Sequence, residues 1–268
     1  MKAYIIGIDS DKNVQKDAVK QLREMGLDAQ AWHGVNGKKE NINPRNYLSL
    51  GALFKSKFVK HRAVDWDFPL GDPRGALGCF LSHKKIWEHM VENNVPVALI
   101  GEADIVPKPS LSQRIQDGLQ NLEKWDILLL DCTLKNHHLK GTGLENANHG
   151  FKKGKQSFLG LHGYLLSKQG AQILLKYAMP IEFQLDSYIP MLVYLDKLRA
   201  WFDPTKPVTK RSTKNRKSST QTDNTDRIGF CHGDRIVATP GYIAFYVAFA
   251  ILFILAIVFA ILYAVKKQ

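Results

Sequence analysis

Short apolar strand segments alternate with amphipathic helical ones along the first 200 residues, and no other feature restricts the fold as much. The alternation begins with "KAYIIGID" (2–9), an apolar strand. It continues through Val14, Ala18, Val19, Leu22 and Met25, spaced as one helix face and closed by Gly26. "DAQAWHGVNG" (28–37) reads as a second strand ending in an Asn-Gly turn. A strand-helix-strand opening predicts an α/β domain with an open, mostly parallel sheet. Helices are predicted over 74–94, 111–125, 168–179 and 184–198, the last interrupted by Pro190. Strands are predicted over 95–107, 126–132 and 157–167. Residues 38–74 read as irregular, and 133–156 as a His-, Lys- and Gly-rich loop. Sheets of this kind bind ligands beyond the carboxyl ends of their strands.

The strand "VPVALIGEADIVP" (95–107) carries two acids, Glu102 and Asp104, to such an end. In an extended chain residues i and i+2 share a side, so both carboxylates are expected to point one way and Ala103 the other. Two carboxylates a few ångströms apart repel unless something positive lies between them. A divalent cation with hard oxygen ligands does this while bridging to a phosphate. A solvated strand end is the competing reading of the same pair. In "LGCFLSH" (77–83), Gly78 interrupts a helix at a cost of about 1 kcal/mol relative to alanine. This predicts close approach of a backbone or a ligand. His83 falls on the apolar face, as a core histidine or a ligand contact. Asp9 is positioned either to accept from a nucleotide base or sugar or to cap the following helix. Ser167 is an expected N-cap. Asp186, early in an apolar helix, either compensates the helix dipole or serves catalysis.

Charge places the partners. The net charge is +12, of which +5 falls in residues 1–203 and +7 in residues 204–268. A nucleic-acid face on the globular part is therefore not required. Residues 1–203 are expected to form the folded domain and 204–240 a basic flexible linker, because 206–226 lacks aromatic and large aliphatic residues beyond Val208. The 24 uncharged residues of "YIAFYVAFAILFILAIVFAILYAV" (242–265) are long enough to span a bilayer, with tyrosines near both ends. This predicts one C-terminal transmembrane helix acting as a tail anchor, with the N-terminal domain cytosolic. Three cysteines without framework spacing and the lack of Asn-x-Ser/Thr fit a reducing compartment.

Taken in order, "AYIIGIDSDKNVQKDAVKQLREMGLDAQAWHGVNG", "RGALGCFLSHKKIWEHMVENNVPVALIGEADIVP", "GLHGYLLSKQGAQILL" and "MPIEFQLDSYI" resemble glycosyltransferase family 25 over about residues 2–190. This family includes bacterial lipooligosaccharide and collagen hydroxylysine galactosyltransferases. The Gly-Cys-x-Leu-Ser-His core followed by an acidic strand end is the most specific block. The resemblance implies a GT-A fold of Rossmann type, a UDP-sugar donor and a Mn²⁺ or Mg²⁺ ion. It also implies transfer of a hexose, galactose or glucose, to a glycan or protein hydroxyl, with inversion. Carried onto this chain, Glu102 and Asp104 become the metal ligands. Asp9, Gly78, Ser82 and His83 become donor-binding residues. Asp186 becomes the base, with Asp131 second. One departure matters: the family's acidic motif is commonly Glu-Asp-Asp, and here Ala103 occupies its middle. The alternative is a catalytically impaired, glycosyltransferase-like protein that binds sugars or serves as a structural membrane component.

Overall fold

A computed structural model describes residues 1–61, 72–135, 143–210 and 236–238. The chain runs β1 (Lys2–Gly7), α1 (Lys12–Glu24), β2 (Asp28–His33), α2 (Leu50–Phe58), β3 (Val59–His61), α3 (Arg74–Glu92), β4 (Val97–Glu102) and β5 (Ile105–Pro107). It continues with α4 (Leu111–Leu119), β6 (Ile127–Lys135), β7 (Glu145–Asn146), β8 (Lys152–Lys153), β9 (Ser157–Ser167), α5 (Lys168–Tyr177) and α6 (Leu185–Tyr194). The described elements close with β10 (Ala200–Phe202), β11 (Val208–Lys210) and β12 (Ile236–Ala238).

Eight strands form one sheet in the order β2-β1-β4-β9-β6-β10-β8-β7. The sheet has two apolar faces. On one, Phe80, Ile86, Trp87 and Met90 of α3 join Ala171 and Leu174 of α5 and Ile189 and Leu192 of α6. On the other, Ala18, Val19 and Leu22 of α1 join Leu111 and Ile115 of α4. The result is a three-layer α/β sandwich. Gln15 ties α1 to the sheet: its buried amide donates to the Ile5 carbonyl (2.6 Å) and the Trp32 carbonyl (3.0 Å), bridging β1 and β2. Gly26, at φ +83°, ends that helix turn in the left-handed region, as a glycine after a helix commonly does. Ser167 caps α5 as expected, its hydroxyl accepting from the Gly170 N–H at 2.9 Å.

Six of the eight strands point the same way, but β9 and β8 run against them, so the sheet is mixed as well as mostly parallel in direction. The reason lies in the connection. No crossover helix is described between β6 and β9, and antiparallel neighbours need none, whereas parallel neighbours do. Residues 38–74 are less irregular than their composition suggests, because they contain α2 and β3. Leu48 and Ala52 of this stretch are buried in the core. The helix around Pro190 is not interrupted: α6 runs through the proline. Proline removes one helical N–H, so the carbonyl of residue 186 takes no helical bond from residue 190.

Within the segment expected to be linker from residue 204, residues Val208–Lys210 form a strand. β11 pairs antiparallel with β5, and Val208 is fully buried. β12 pairs with β3. The rest of the basic segment and the apolar run 242–265 lie outside the described residues. Among the described residues, no helix is long and apolar enough to cross a membrane.

Candidate active site

The parallel strands β1, β4 and β6 end at one edge of the sheet, and the acids expected to matter lie along it. β4 delivers Glu102, the chain turns through Ala103 and Asp104, and β5 begins at Ile105. Two glycines set that turn. Gly101 and Gly163 are direct partners across β4 and β9. A Cβ on either would lie 3.0 or 2.8 Å from Ile105 Cδ1. The missing side chains leave a recess that takes the fully buried Ile105, and this fixes where the chain reverses. The alternation that was to place Glu102 and Asp104 on one face therefore stops at Glu102, because alternation holds only in extended chain. The carboxylate of Glu102 is about a third exposed (31%), whereas Asp104 is 8% exposed and Ala103 is buried beside it.

β9 lies between β4 and β6 and brings a residue that sequence reasoning passed over. His162 Nδ1 is 3.4 Å from Glu102 Oε2. Its only signal in the sequence is its place in "LHGY", one residue before the glycine that opposes Gly101. On the far side of β9, Asp131 of β6 pairs with Gly163, between two register shifts. Such bulges often mark sites, because they re-aim a side chain. Asp131 Oδ1 lies 3.5 Å from the ammonium of Lys206. Glu102 and Asp131 thus flank β9 at one edge and are not side by side.

The "LGCFLSH" block makes packing and hydrogen-bond contacts within the fold. A Cβ on Gly78 would lie 2.5 Å from the Val35 carbonyl oxygen and 2.7 Å from the Gly37 nitrogen, so α3 meets the loop after β2 backbone to backbone. Of the two partners expected for Gly78, a backbone or a ligand, the structure supplies the backbone. The Ser82 hydroxyl donates to the Gly78 carbonyl (2.7 Å) and accepts from the Val35 N–H (2.8 Å), and the side chain is buried. His83 is buried against Tyr164, with Nδ1 2.8 Å from the phenol oxygen. Trp87 Nε1 donates to that same oxygen at 3.3 Å. Burial pushes the His83 imidazole down to about 4, with the nearby Glu102 carboxylate opposing it. Burial also raises the Tyr164 phenol. At neutral pH this buried histidine is therefore uncharged.

Asp9 sits in a 3₁₀ turn after β1 and does not cap α1. Its carboxylate meets Lys39 Nζ at 2.7 Å and Lys12 Nζ at 3.4 Å. The hydrogen bond from Lys39 leads in holding it below the ordinary aspartate range. Asp186 stands in the first turn of α6, partly exposed. Among the described residues, no group of three or more His, Cys, Asp or Glu side chains is placed to hold a metal ion. Glu102 and Asp104 are oxygen donors of the type a hard cation takes, the first partly exposed and the second buried in the turn.

Comparison with known proteins adds the family. The chain is 28% identical over 186 residues to a glycosyltransferase 25 family member of Drosophila melanogaster, covering 66% of this chain and 28% of the relative. Procollagen galactosyltransferase 1-A of Xenopus laevis is 27% identical over 135 residues, 48% of this chain and 21% of its own. The inactive glycosyltransferase 25 family member 3 of Mus musculus is 26% identical over 135 residues, with the same coverage. The chain spans between 28% and 32% of the length of the first curated relatives it matches. The model of glycosyltransferase family 25 (LPS biosynthesis protein) matches residues 1–189. An α/β fold with acids at the strand ends, and a family match over more than half of its length, place this chain in glycosyltransferase family 25.

Proposed function

We propose that the chain transfers a hexose, galactose or glucose, from a UDP-sugar to a hydroxyl of a glycan or protein acceptor. The observation that carries this reading is Glu102 at the carboxyl end of a central strand, with Asp104 in the turn that follows. This is the edge where open α/β sheets bind nucleotides. Family membership and the similarity to a procollagen galactosyltransferase support it.

In this reading the acceptor oxygen attacks the anomeric carbon as the bond from that carbon to the diphosphate oxygen breaks. The electron pair of that bond leaves with UDP, and the acceptor proton passes to a carboxylate. Asp186 is the proposed base because it is partly exposed at the start of α6, which packs against β9. Asp131 is second, since its carboxylate already faces Lys206. Glu102 and Asp104 would hold a Mn²⁺ or Mg²⁺ ion, which when bound supplies positive charge to the leaving diphosphate. Inversion at the anomeric carbon follows from a single displacement.

Ala103 favours a second reading, that the fold survives with catalysis impaired, and an inactive relative of similar identity shows that the family contains such members. Titration of the full chain with UDP, with and without Mn²⁺, separates the two. Metal-dependent UDP binding that is lost on Glu102→Ala supports the transferase. UDP binding absent from the wild type under both conditions refutes it. We further propose that residues 242–265 tether the chain to a bilayer with the domain on the cytosolic side. Extraction of the chain from membranes by alkaline carbonate would contradict the tether, and protection of residues 1–203 from protease in sealed microsomes would contradict the topology.

A further inference from the structure

Lys206 lies beyond the family-matched segment, in a stretch whose composition reads as linker, yet the fold holds it in place from both sides. Its backbone is at φ +48°, in the left-handed region that non-glycine residues seldom occupy. Residues kept in such conformations cluster at sites where the surroundings over-determine them.

Here the surroundings are explicit. Asp203, with its side chain fully buried, accepts from the Thr205 N–H (2.9 Å) and hydroxyl (2.7 Å) through Oδ1, and from Arg114 Nε (2.7 Å) through Oδ2. Its own N–H donates to the Leu129 carbonyl of β6 (2.9 Å). On the other side, the Lys108 N–H donates to the Pro207 carbonyl (2.8 Å), and Val208 pairs with Pro107. The loop is therefore pinned to β6, which carries Asp131, and to β5, which follows Glu102, Ala103 and Asp104. Pinned this way, it presents an ammonium at the carboxyl edge of the sheet.

That ammonium is not consumed by its ion pair. Among the described residues its one partner is Asp131, at 3.5 Å. An ammonium has three donors. The Lys206 side chain is 45% exposed, while that of Asp131 is 14% exposed.

We propose that Lys206 is a donor-binding residue whose ammonium contacts the diphosphate of a nucleotide sugar. This rests on the transferase reading above and adds a residue to it. Lysine serves phosphate as a point charge, which suits a leaving group whose charge grows as the bond breaks.

The test is equilibrium binding of UDP and of uridine to the full chain, as wild type, Lys206→Met and Lys206→Arg. Loss of a charge-assisted contact should weaken UDP binding by about 10- to 100-fold in Lys206→Met. Uridine binding and melting temperature should be unchanged, and Lys206→Arg should restore most of the UDP affinity. A residue that only neutralises Asp131 would cost no UDP affinity when Lys206→Met is made together with Asp131→Asn, whereas a direct contact with the diphosphate is lost in both backgrounds. If Lys206→Met binds UDP as the wild type does, or loses UDP and uridine equally, the assignment is wrong and the transferase reading stands. If the wild type binds no UDP, both are overturned.

Discussion

Replacing Gly78 with alanine sets two opposed effects against each other. In a helix, alanine is favoured over glycine by about 1 kcal/mol. Against this, the new Cβ would stand 2.5 Å from the Val35 oxygen, 2.7 Å from the Gly37 nitrogen and 3.2 Å from the Gly37 Cα. All three are backbone atoms, so no side-chain rotation relieves the clash, and α3 and the loop after β2 must move apart. Overpacking of this kind costs about 1–3 kcal/mol, sometimes more. Separation would also stretch the Ser82 bridge between the Gly78 carbonyl and the Val35 N–H, which adds about 1 kcal/mol. The balance is a net loss of about 1–3 kcal/mol, and each kcal/mol lowers the melting temperature by about 2–4 °C in a protein of this size. Thermal unfolding of Gly78→Ala beside the wild type, under the same conditions and followed by circular dichroism, reads the sign directly. A higher melting temperature in the variant would mean that helix propensity wins and that the backbone contact is not tight.

Ser82→Ala removes both of its hydrogen bonds and should destabilise the fold by about 1–3 kcal/mol. Lost UDP binding at an unchanged melting temperature would instead make Ser82 a donor ligand. Stability should fall as the medium is acidified from pH 6.5 towards pH 4, because the unfolded His83 takes up a proton there while the buried one, at about 4, does not. The unfolded state binds more protons over that window, so stability is full above it and the loss approaches about 3 kcal/mol. Denaturant midpoints across this range should slope less in His83→Gln; identical slopes would contradict a neutral buried imidazole.

Much of the architecture is legible in the sequence because burial leaves a period. Ala18, Val19 and Leu22 recur as one helix face, and the unbroken run Val97–Ile100 marks a strand covered on both sides. The direction of β9 is not legible in the same way, since apolar content says nothing of strand polarity. α2 is hidden because Leu50, Ala52, Leu53 and Phe54 crowd together without a clean period. At the site, the chemical types of Glu102, Asp131 and His83 are visible, but their surroundings are made by contacts distant in sequence. The turn at Ala103 depends on Gly163, some sixty residues away, through Ile105. Lys206 sits among basic and hydroxyl residues, and what fixes it is the pairing of Val208 with Pro107. Ser82 and Gly78 resemble ligand contacts in sequence because a tight backbone approach and a ligand approach favour the same small residues.

The most direct test of the account is metal-dependent turnover of UDP-sugars by the full chain, measured for the wild type and for Ala103→Asp. Ala103 is buried in the turn between Glu102 and Asp104, so an added carboxylate there is costly unless a bound cation offsets its charge. We expect donor hydrolysis or transfer with Mn²⁺ or Mg²⁺ in the wild type, and a higher rate or tighter metal dependence in the variant. No turnover by either protein across UDP-galactose and UDP-glucose, with acceptor hydroxyls supplied, would contradict the account.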